Sequence, residues 1–222
     1  MSSELGPDWR SNFSEFNPIP IAAASIGQVH SATLASNGMP LAIKVQFPAV
    51  AESITSDLNN LSMLLTASAL LPKGLFLDST LKATKAELED ECDYVREAEC
   101  ARRFRKELEG DERFEVMRIV DNLSTKKVLV MERMDGVPIV QAENRPQELR
   151  DEVRTNDGTT LILLKKEWQI AASILSLCLH ELFHFRFMQT DPNWTNFLYN
   201  QKTGKVGISS TTLPEAHRHR FN

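Results

Sequence analysis

The chain has 222 residues, 42% of them hydrophobic and 25% charged, and a formal net charge of −5. These totals are typical of a folded globular protein with one domain or two small lobes, and the mild acidity argues against nucleic acid as a partner. The three cysteines form no CxxC pair, which argues against a disulfide framework and indicates a reducing compartment. We expect no signal peptide and no transmembrane segment, because no apolar run reaches the roughly 18 residues that a span requires.

The pattern of the N-terminal part predicts an antiparallel sheet. Residues 18–34 and 41–47 read as strands, and the Asn-Gly pair at 37–38 is a strong signal for the hairpin turn between them. Two more strands are expected at residues 114–120 and 126–134, where β-branched and apolar residues flank an Asp-Asn turn.

Helical spacing of apolar residues predicts the remaining elements. One helix is expected over residues 49–71 and a longer one over residues 78–108, with Gly110 just beyond its end. The second half is mostly helical, but residues 154–169 look like an insertion that breaks the helix. The tail after Val206 is rich in Ser, Thr, His and Arg and lacks apolar periodicity, so we expect it to be disordered, and we place an aberrant segment at 209–222.

The most informative stretch is residues 189–196. It contains Asp191 followed five residues later by Asn196, the spacing of a kinase-type catalytic loop. In such a loop the Asp accepts a hydroxyl proton or orients the nucleophile, and the Asn binds a Mg²⁺ ion that bridges nucleotide phosphates. The alternative is a turn that ends a buried helix, because Asp-Pro and Asn are common turn formers.

The N-terminal hairpin offers a place for phosphates. Small residues let backbone N–H groups approach an anion, and such residues occur at Ala22, Ala23, Ala24 and Ser25. Lys44 lies in the middle of the next strand, and its apolar neighbours point the opposite way. An inward-facing lysine requires a partner, for which phosphate is suited; the alternative is an exposed lysine on an edge strand.

Lys44 would also need a carboxylate to orient it, and the long helix supplies Glu87, Glu89, Glu91 and Asp93. Among these we expect Glu87 to be the partner, with Glu91 on the same helix face. The alternative is that these carboxylates form a solvated acidic face.

A hinge segment is predicted after the apolar strand at residues 128–131. In a two-lobed nucleotide-binding protein, a segment in this position presents backbone groups to adenine. We therefore assign Glu132 and Met134 to the nucleotide site, although any strand that ends in Asp-Gly has the same pattern.

A competing motif lies just before the Asp191 loop. His180, Glu181 and His184 match HExxH on a helix, the spacing that places two imidazoles on one face as zinc ligands with Glu as general base. The third ligand of such enzymes has no counterpart in the residues that follow directly, and five-residue matches also arise by chance.

Several of these stretches together resemble the UbiB family of atypical protein-kinase-like proteins, in which an alanine-rich loop replaces the usual glycines. The resemblance implies an α+β fold with two kinase-like lobes, an antiparallel sheet with long helices in the N-lobe, and an incomplete helical C-lobe. The stretches that carry it are AAASIGQVH at 22–30, AIKVQ at 42–46, ECDY followed by REA at 91–98, and FMQTDPNW at 187–194.

The resemblance also implies ATP and Mg²⁺ as ligands and an ATPase-type role in ubiquinone biosynthesis. It implies a mitochondrial protein on the matrix side of the inner membrane, with lipid or quinone-biosynthesis proteins as partners and peripheral membrane association. Carried over by position, residues 22–25 form the nucleotide loop, Lys44 contacts phosphate with Glu87 as its partner, and Asp191 is the catalytic Asp. Asn196 is the metal ligand, and Glu91 and Asp93 form the family's Glu-x-Asp motif.

This sequence departs from the family pattern in three places. The family's Lys-x-Gly-Gln segment is missing upstream, and residues 154–169 look inserted. Residues 206–212 stand where the metal-binding Asp-Phe-Gly segment is expected, with Ser210 at the position of its Asp. A hydroxyl is a poor replacement for a carboxylate at Mg²⁺, so we expect impaired turnover. We place the N-lobe at 15–135 and the partial C-lobe at 136–208. A non-catalytic nucleotide- or partner-binding module and an HExxH zinc hydrolase are the alternatives.

Overall fold

The computed structural model describes residues 1–24, 26–67, 77–139, 157–186 and 196–208. The expectations for Ser25, for the Asp191 loop and for the tail from 209 fall outside these residues. The chain forms two compact units. The first unit combines Met1–Ala98 with Ile119–Arg133, and the second combines Glu99–Arg118 with the described residues from Met134 onward.

The first unit contains an antiparallel sheet in the order β1-β3-β4-β6, with β2 paired to β3. Its core is formed by alternate residues of the strands, such as Leu41 and Ile43, together with Trp9 and Phe13 before and within β1. The predicted hairpin turn is confirmed, and Gly38 there has a φ of 72°, which favours glycine. The strands are β1 (Phe13–Phe16), β2 (Ala22–Ala24), β3 (Gly27–Leu34), β4 (Pro40–Gln46) and β6 (Val128–Glu132).

The helices of the first half differ from the prediction in one respect. Helix α1 covers Ser2–Leu5 and helix α2 covers Val50–Ala67. The predicted single helix over 78–108 is wrong, because the chain forms α3 (Leu77–Glu91) and α4 (Tyr94–Glu107), separated by a break at residues 92 and 93. The physical cause is a set of polar contacts at the break, described below.

The second unit contains a small sheet in the order β5-β9-β8-β7, in which β5 and β9 are parallel. Phe104, Leu177, Phe197 and Ile208 belong to its core. The expectation of disorder after Val206 is wrong for Gly207 and Ile208, because they form a buried strand with Val206. The strands are β5 (Phe114–Val116), β7 (Val137–Pro138), β8 (Phe197–Tyr199) and β9 (Val206–Ile208).

The second correction concerns the apparent insertion at 154–169. The helix α5 begins at Asp157 and runs to His180, so residues 157–169 belong to the helix and do not break it. Residues 161–164, shortly after Asp157, are leucine and isoleucine, and these residue types are tolerated in the middle of a helix. Among the described residues, no helix is both long and apolar enough to cross a membrane.

Candidate nucleotide site

Lys44 is buried on the inner strand β4. The strand lies between β3 and β6, so the alternative of an edge-strand lysine is wrong. Ile43 and Val45 pack with the hydrophobic core on one face of the sheet, and Lys44 points to the other face because successive side chains alternate. Its side chain is only 8% exposed, which is unusual for lysine unless the amine is paired.

The partner of Lys44 is Glu97, in the first turn of α4. The Nζ atom donates to both carboxylate oxygens, at 3.0 Å to Oε1 and 2.9 Å to Oε2, and the Glu97 side chain is 14% exposed. The Glu87 that we expected in this role lies on α3, and its side chain is outside the described residues. In the sequence-based predictions, Glu97 appears only as part of the family stretch at 91–98. One signal could have pointed to it: Glu97 follows Tyr94 by three residues, so the two side chains lie on the same face of one helix.

The other acidic candidates have different surroundings. Glu89 makes a surface pair with Lys85, at 3.7 Å, and Glu91 is exposed near the end of α3. The Oδ1 atom of Asp93 accepts the backbone N–H groups of Val95, at 3.1 Å, and Arg96, at 3.2 Å. Asp93 therefore caps the start of α4.

Tyr94 forms the floor of the Lys44–Glu97 pair. Its side chain is fully buried, and the Lys44 amine lies 4.8 Å from the centre of its ring, within the range of a cation–π interaction. The phenol oxygen has no hydrogen-bond partner among the described residues. The pKa of this phenol is raised above its usual value, first by burial and then by the nearby Glu97 carboxylate.

Three residues of the predicted phosphate loop lie in one strand of a hairpin. Ala22, Ala23 and Ala24 form β2 and pair with Val29, Gln28 and Gly27 of β3, respectively. Their backbone groups take part in an antiparallel ladder, and the role of residues 22–25 as the nucleotide loop stays a prediction.

Gly27 is the first residue of β3, where it pairs with Ala24 next to the hairpin turn, and it has no room for a side chain. A Cβ atom here would clash with the backbone carbonyl oxygen of Val45 and would lie 3.0 Å from the Tyr94 hydroxyl. The absence of a Cβ therefore allows β3, β4 and Tyr94 to approach closely.

The hinge candidates Glu132 and Met134 lie on either side of the boundary between the units. Glu132 ends β6, and the backbone N–H of Arg133 donates to the Pro40 carbonyl, at 2.9 Å. Arg133 is the last residue of the first unit, and Met134 belongs to the second. Their contact with adenine stays a prediction.

The catalytic-loop prediction is only partly within the described residues. Asp191 lies outside them, whereas Asn196 is half-buried and directly precedes β8. In the part of the chain that the structure describes, no group of three His, Cys, Asp or Glu side chains could hold a metal ion. The metal-binding role of Asn196 therefore stays a prediction.

The HExxH motif receives no support from the structure. His180 ends α5, and Glu181–Phe185 form a π-helical turn in which the carbonyl of Phe185 accepts a hydrogen bond from Arg103 Nη2, at 3.0 Å. Glu181 is buried, with 2% of its surface exposed, which is unlike a general base in contact with substrate water. No third ligand accompanies the two histidines among the described residues.

An antiparallel sheet with a buried lysine held by a helix carboxylate is the arrangement of a kinase-type N-lobe. Residues 1–213 match the ABC1 atypical kinase-like domain. The chain therefore belongs to the ABC1 atypical kinase-like family, and the UbiB resemblance and the kinase-like α+β fold are confirmed.

Two relatives of the chain are named as mitochondrial atypical kinases. The chain is 48% identical over 206 residues to zebrafish "Atypical kinase COQ8B, mitochondrial", covering 93% of the chain and 30% of the relative. It is 46% identical over 208 residues to the Saccharomyces cerevisiae "Atypical kinase COQ8, mitochondrial", covering 94% and 38%. The chain thus spans about a third of the length of these curated relatives.

One solved structure supports the fold directly. The Rv3197–erythromycin complex from Mycobacterium tuberculosis matches with a TM-score of 0.71 and 28% identity, over 96% of this chain and 50% of that one. A bacterial relative, the "Probable protein kinase UbiB" of Photorhabdus laumondii, is 34% identical over 146 residues, covering 64% of the chain and 27% of the relative.

Proposed function

We propose that this chain binds ATP through a UbiB-type, kinase-like nucleotide site and acts in ubiquinone biosynthesis. The proposal rests on the buried pair of Lys44 and Glu97, which is joined by two hydrogen bonds and lies in an ABC1 domain. In kinases of known mechanism, the equivalent pair holds the lysine amine where it contacts the nucleotide phosphates.

The lysine is well suited to this task because Glu97 and the Tyr94 ring fix its amine before any ligand binds. A primary ammonium has three N–H donors, so Lys44 retains a donor for phosphate when two point to Glu97. The loss of side-chain freedom on binding is then small, which favours affinity.

The C-terminal half supplies the metal-binding chemistry in this proposal. Asp191 and Asn196 carry a carboxylate and an amide oxygen, and oxygen atoms are the ligands that Mg²⁺ prefers. The ion would neutralise phosphate charge. Asp191 is proposed to orient the nucleophile. We further propose that turnover is impaired, since Ser210 occupies the position at which the family has a second metal-binding carboxylate.

The cellular setting follows from the relatives. Two of them are named as mitochondrial atypical kinases, which supports a mitochondrial location for this chain. The matrix side of the inner membrane, peripheral association with lipid and partner proteins of quinone biosynthesis are the finer parts of the proposal.

The test is Mg²⁺-dependent binding of a fluorescent ATP analogue to the purified chain. We expect saturable binding that Lys44→Ala removes. Lys127→Ala is the matched control, because Lys127 is an exposed lysine that pairs with Glu52, at 3.3 Å. Equal loss with both variants, or no binding by the unaltered chain, would contradict the proposal.

A turnover assay then separates an enzyme from a binding module. ATP hydrolysis should be slow or absent, and Asp191→Asn should change nucleotide affinity little. Fast hydrolysis that Asp191→Asn abolishes would show that the chain is a competent ATPase and that Ser210 does not impair its turnover.

A further inference from the structure

Lys44 and Gln46 lie on the same face of β4, because side chains two positions apart in a strand point the same way. The Gln46 side chain is buried, and its Nε2 atom donates to the backbone carbonyl of Cys92, at 3.0 Å. This carbonyl lies at the break between α3 and α4. The strand that carries the lysine therefore also holds the break.

The Cys92 carbonyl is available because the helix is interrupted. In a continuous helix it would accept the N–H of Arg96, four residues later. That N–H instead donates to Oδ1 of Asp93, at 3.2 Å. Because the Arg96 N–H is taken by Asp93, the Cys92 carbonyl has no helical donor, and Gln46 supplies the hydrogen bond instead. The two contacts therefore form one device.

The same device fixes the start of α4. The backbone N–H of Glu97 donates to the Asp93 carbonyl, at 3.0 Å, which is the first helical hydrogen bond. The N–H of Tyr94 donates to the Lys126 carbonyl, at 3.2 Å, and so ties the first residue of the helix to the turn before β6. Several backbone groups at the break therefore have defined partners.

The position of this helix start decides whether Glu97 reaches Lys44. Tyr94 and Glu97 are three residues apart and lie on one face of the first turn. A helix that began one residue later or continued α3 without a break would rotate this face by about 100° per residue. The Lys44 amine would then lose both the carboxylate and the aromatic ring.

We propose that Gln46 and Asp93 are positioning residues that fix the α3–α4 break and thereby place Glu97 against Lys44. This inference rests on the proposed function, because it takes Lys44 to be the phosphate-contacting group. It assigns Asp93, the second acidic residue of the Glu-x-Asp motif, a role through backbone hydrogen bonds. Direct contact with metal or phosphate is the competing role.

The two roles differ in the chemistry that they require. A helix cap needs a side-chain oxygen acceptor, which Asn and Ser also provide, whereas a Mg²⁺ contact depends strongly on the carboxylate charge. Asp93→Asn and Asp93→Ser should therefore preserve the site, and Asp93→Ala should not. Gln46→Glu is a matched variant at the other contact, because it keeps the shape but replaces the donor with an acceptor.

The first measurement is the reactivity of Lys44 toward an acetylating reagent, quantified by mass spectrometry with exposed Lys127 as internal reference. Lys44 should be protected in the unaltered chain, in Asp93→Asn and in Asp93→Ser. In Asp93→Ala and Gln46→Glu its relative labelling should rise about fivefold, the effect typical of losing one helix cap. Unchanged labelling in both of these variants would overturn the proposal.

The second measurement is the affinity for the fluorescent ATP analogue with Mg²⁺, at a temperature where circular dichroism shows each variant folded. Asp93→Asn should bind within about twofold of the unaltered chain, and Gln46→Glu should bind about fivefold more weakly. If Asp93→Asn loses affinity while Lys44 stays protected, Asp93 acts through its charge and the proposal is wrong.

The two measurements also separate this inference from the proposed function. A chain that binds no ATP analogue but shows the expected labelling pattern would contradict the nucleotide site and leave the positioning device supported. If Asp93→Ala does not fold, Asp93→Asn decides alone: a protected Lys44 supports the device, and a reactive one contradicts it.

Discussion

The Lys44 amine donates to both carboxylate oxygens of Glu97, a residue 53 positions further along the chain, at 3.0 and 2.9 Å. The two side chains come from a strand and a helix of the first unit, and both are largely buried. This single pair therefore links the packing of α4 to the chemistry of the candidate site.

Removing one partner of this pair should be costly. Glu97→Leu leaves a buried ammonium without its counter-ion, and we expect the free energy of unfolding to fall by about 3–5 kcal/mol. Lys44→Met combined with Glu97→Leu should restore most of this loss, because no uncompensated charge remains. Urea unfolding of the two variants measures both effects.

A surface pair on the same helix provides the control. Glu107 lies 3.8 Å from Arg103, with both side chains more than a third exposed. Glu107→Leu should change the free energy of unfolding by about 1 kcal/mol or less. If Glu97→Leu costs no more than this control, the buried pair does not support the fold.

The unpartnered hydroxyl of Tyr94 leads to the opposite expectation. Tyr94→Phe removes a buried polar atom that makes no hydrogen bond to the described part of the chain, but it keeps the ring beneath Lys44. We expect the free energy of unfolding at neutral pH to be unchanged or to rise by about 1 kcal/mol. A fall of 2 kcal/mol or more would show that this hydroxyl has a partner such as a buried water.

The raised pKa of Tyr94 adds a dependence on pH. A phenol whose pKa is higher in the folded state stabilises the fold fully below about pH 10, its unfolded value, and loses this contribution as pH rises further. Thermal unfolding between pH 9 and 11 should therefore show a smaller loss for Tyr94→Phe than for the unaltered chain. Parallel curves would contradict the shift.

Gly27 should tolerate no side chain. Gly27→Ala pushes a Cβ against the Val45 carbonyl oxygen, and two backbones must separate to relieve this contact. We expect a loss of about 1–3 kcal/mol in the free energy of unfolding. Adding Tyr94→Phe should not restore it, because the severe clash is with backbone. Ala23→Ser, at an exposed position of the same hairpin, is the control.

The second unit offers a separate test of electrostatics. Arg113 donates to both carboxylate oxygens of Asp111, at 2.9 and 2.7 Å, and its hydrogen bonds lower the pKa of Asp111. The lowered pKa stabilises the fold above about pH 4, and this contribution is lost as pH falls through the folded-state value. Stability should therefore decline less between pH 5 and 3 in Asp111→Asn than in the unaltered chain.

The exposed Glu109 supplies the comparison for this prediction. Glu109→Gln should leave the acid-induced loss of stability close to that of the unaltered chain. Equal slopes in Asp111→Asn and in the unaltered chain would show that the Asp111–Arg113 contact is fully screened by solvent.

Local patterns in the sequence were sufficient for the central hairpin of the first sheet, but they did not predict β1. Alternation around Ile43 and Val45 predicts that Lys44 faces away from the core, and the Asn-Gly turn fixes the hairpin register. These signals are contained in a few neighbouring residues, so they can be recognised without knowledge of the tertiary structure. The family stretches added the kinase-like fold, which no single periodicity would have indicated.

The partner of Lys44 could not be predicted from such patterns. Glu87, Glu91 and Glu97 all lie in a run of good helix formers that reads as continuous. The break that selects Glu97 depends on the hydrogen bond between Gln46 and the Cys92 carbonyl, a contact between residues 46 positions apart. The strand β9 was missed for a related reason, since three residues are too few to show a period.

The strand β9 lies between β5 and β8 and pairs with both of them. A shortened version of the protein that stops before Val206 would leave the backbone edges of β5 and β8 open on the sides that β9 covers, and open edges invite self-association. Expression of a soluble fragment should therefore require the chain through Ile208.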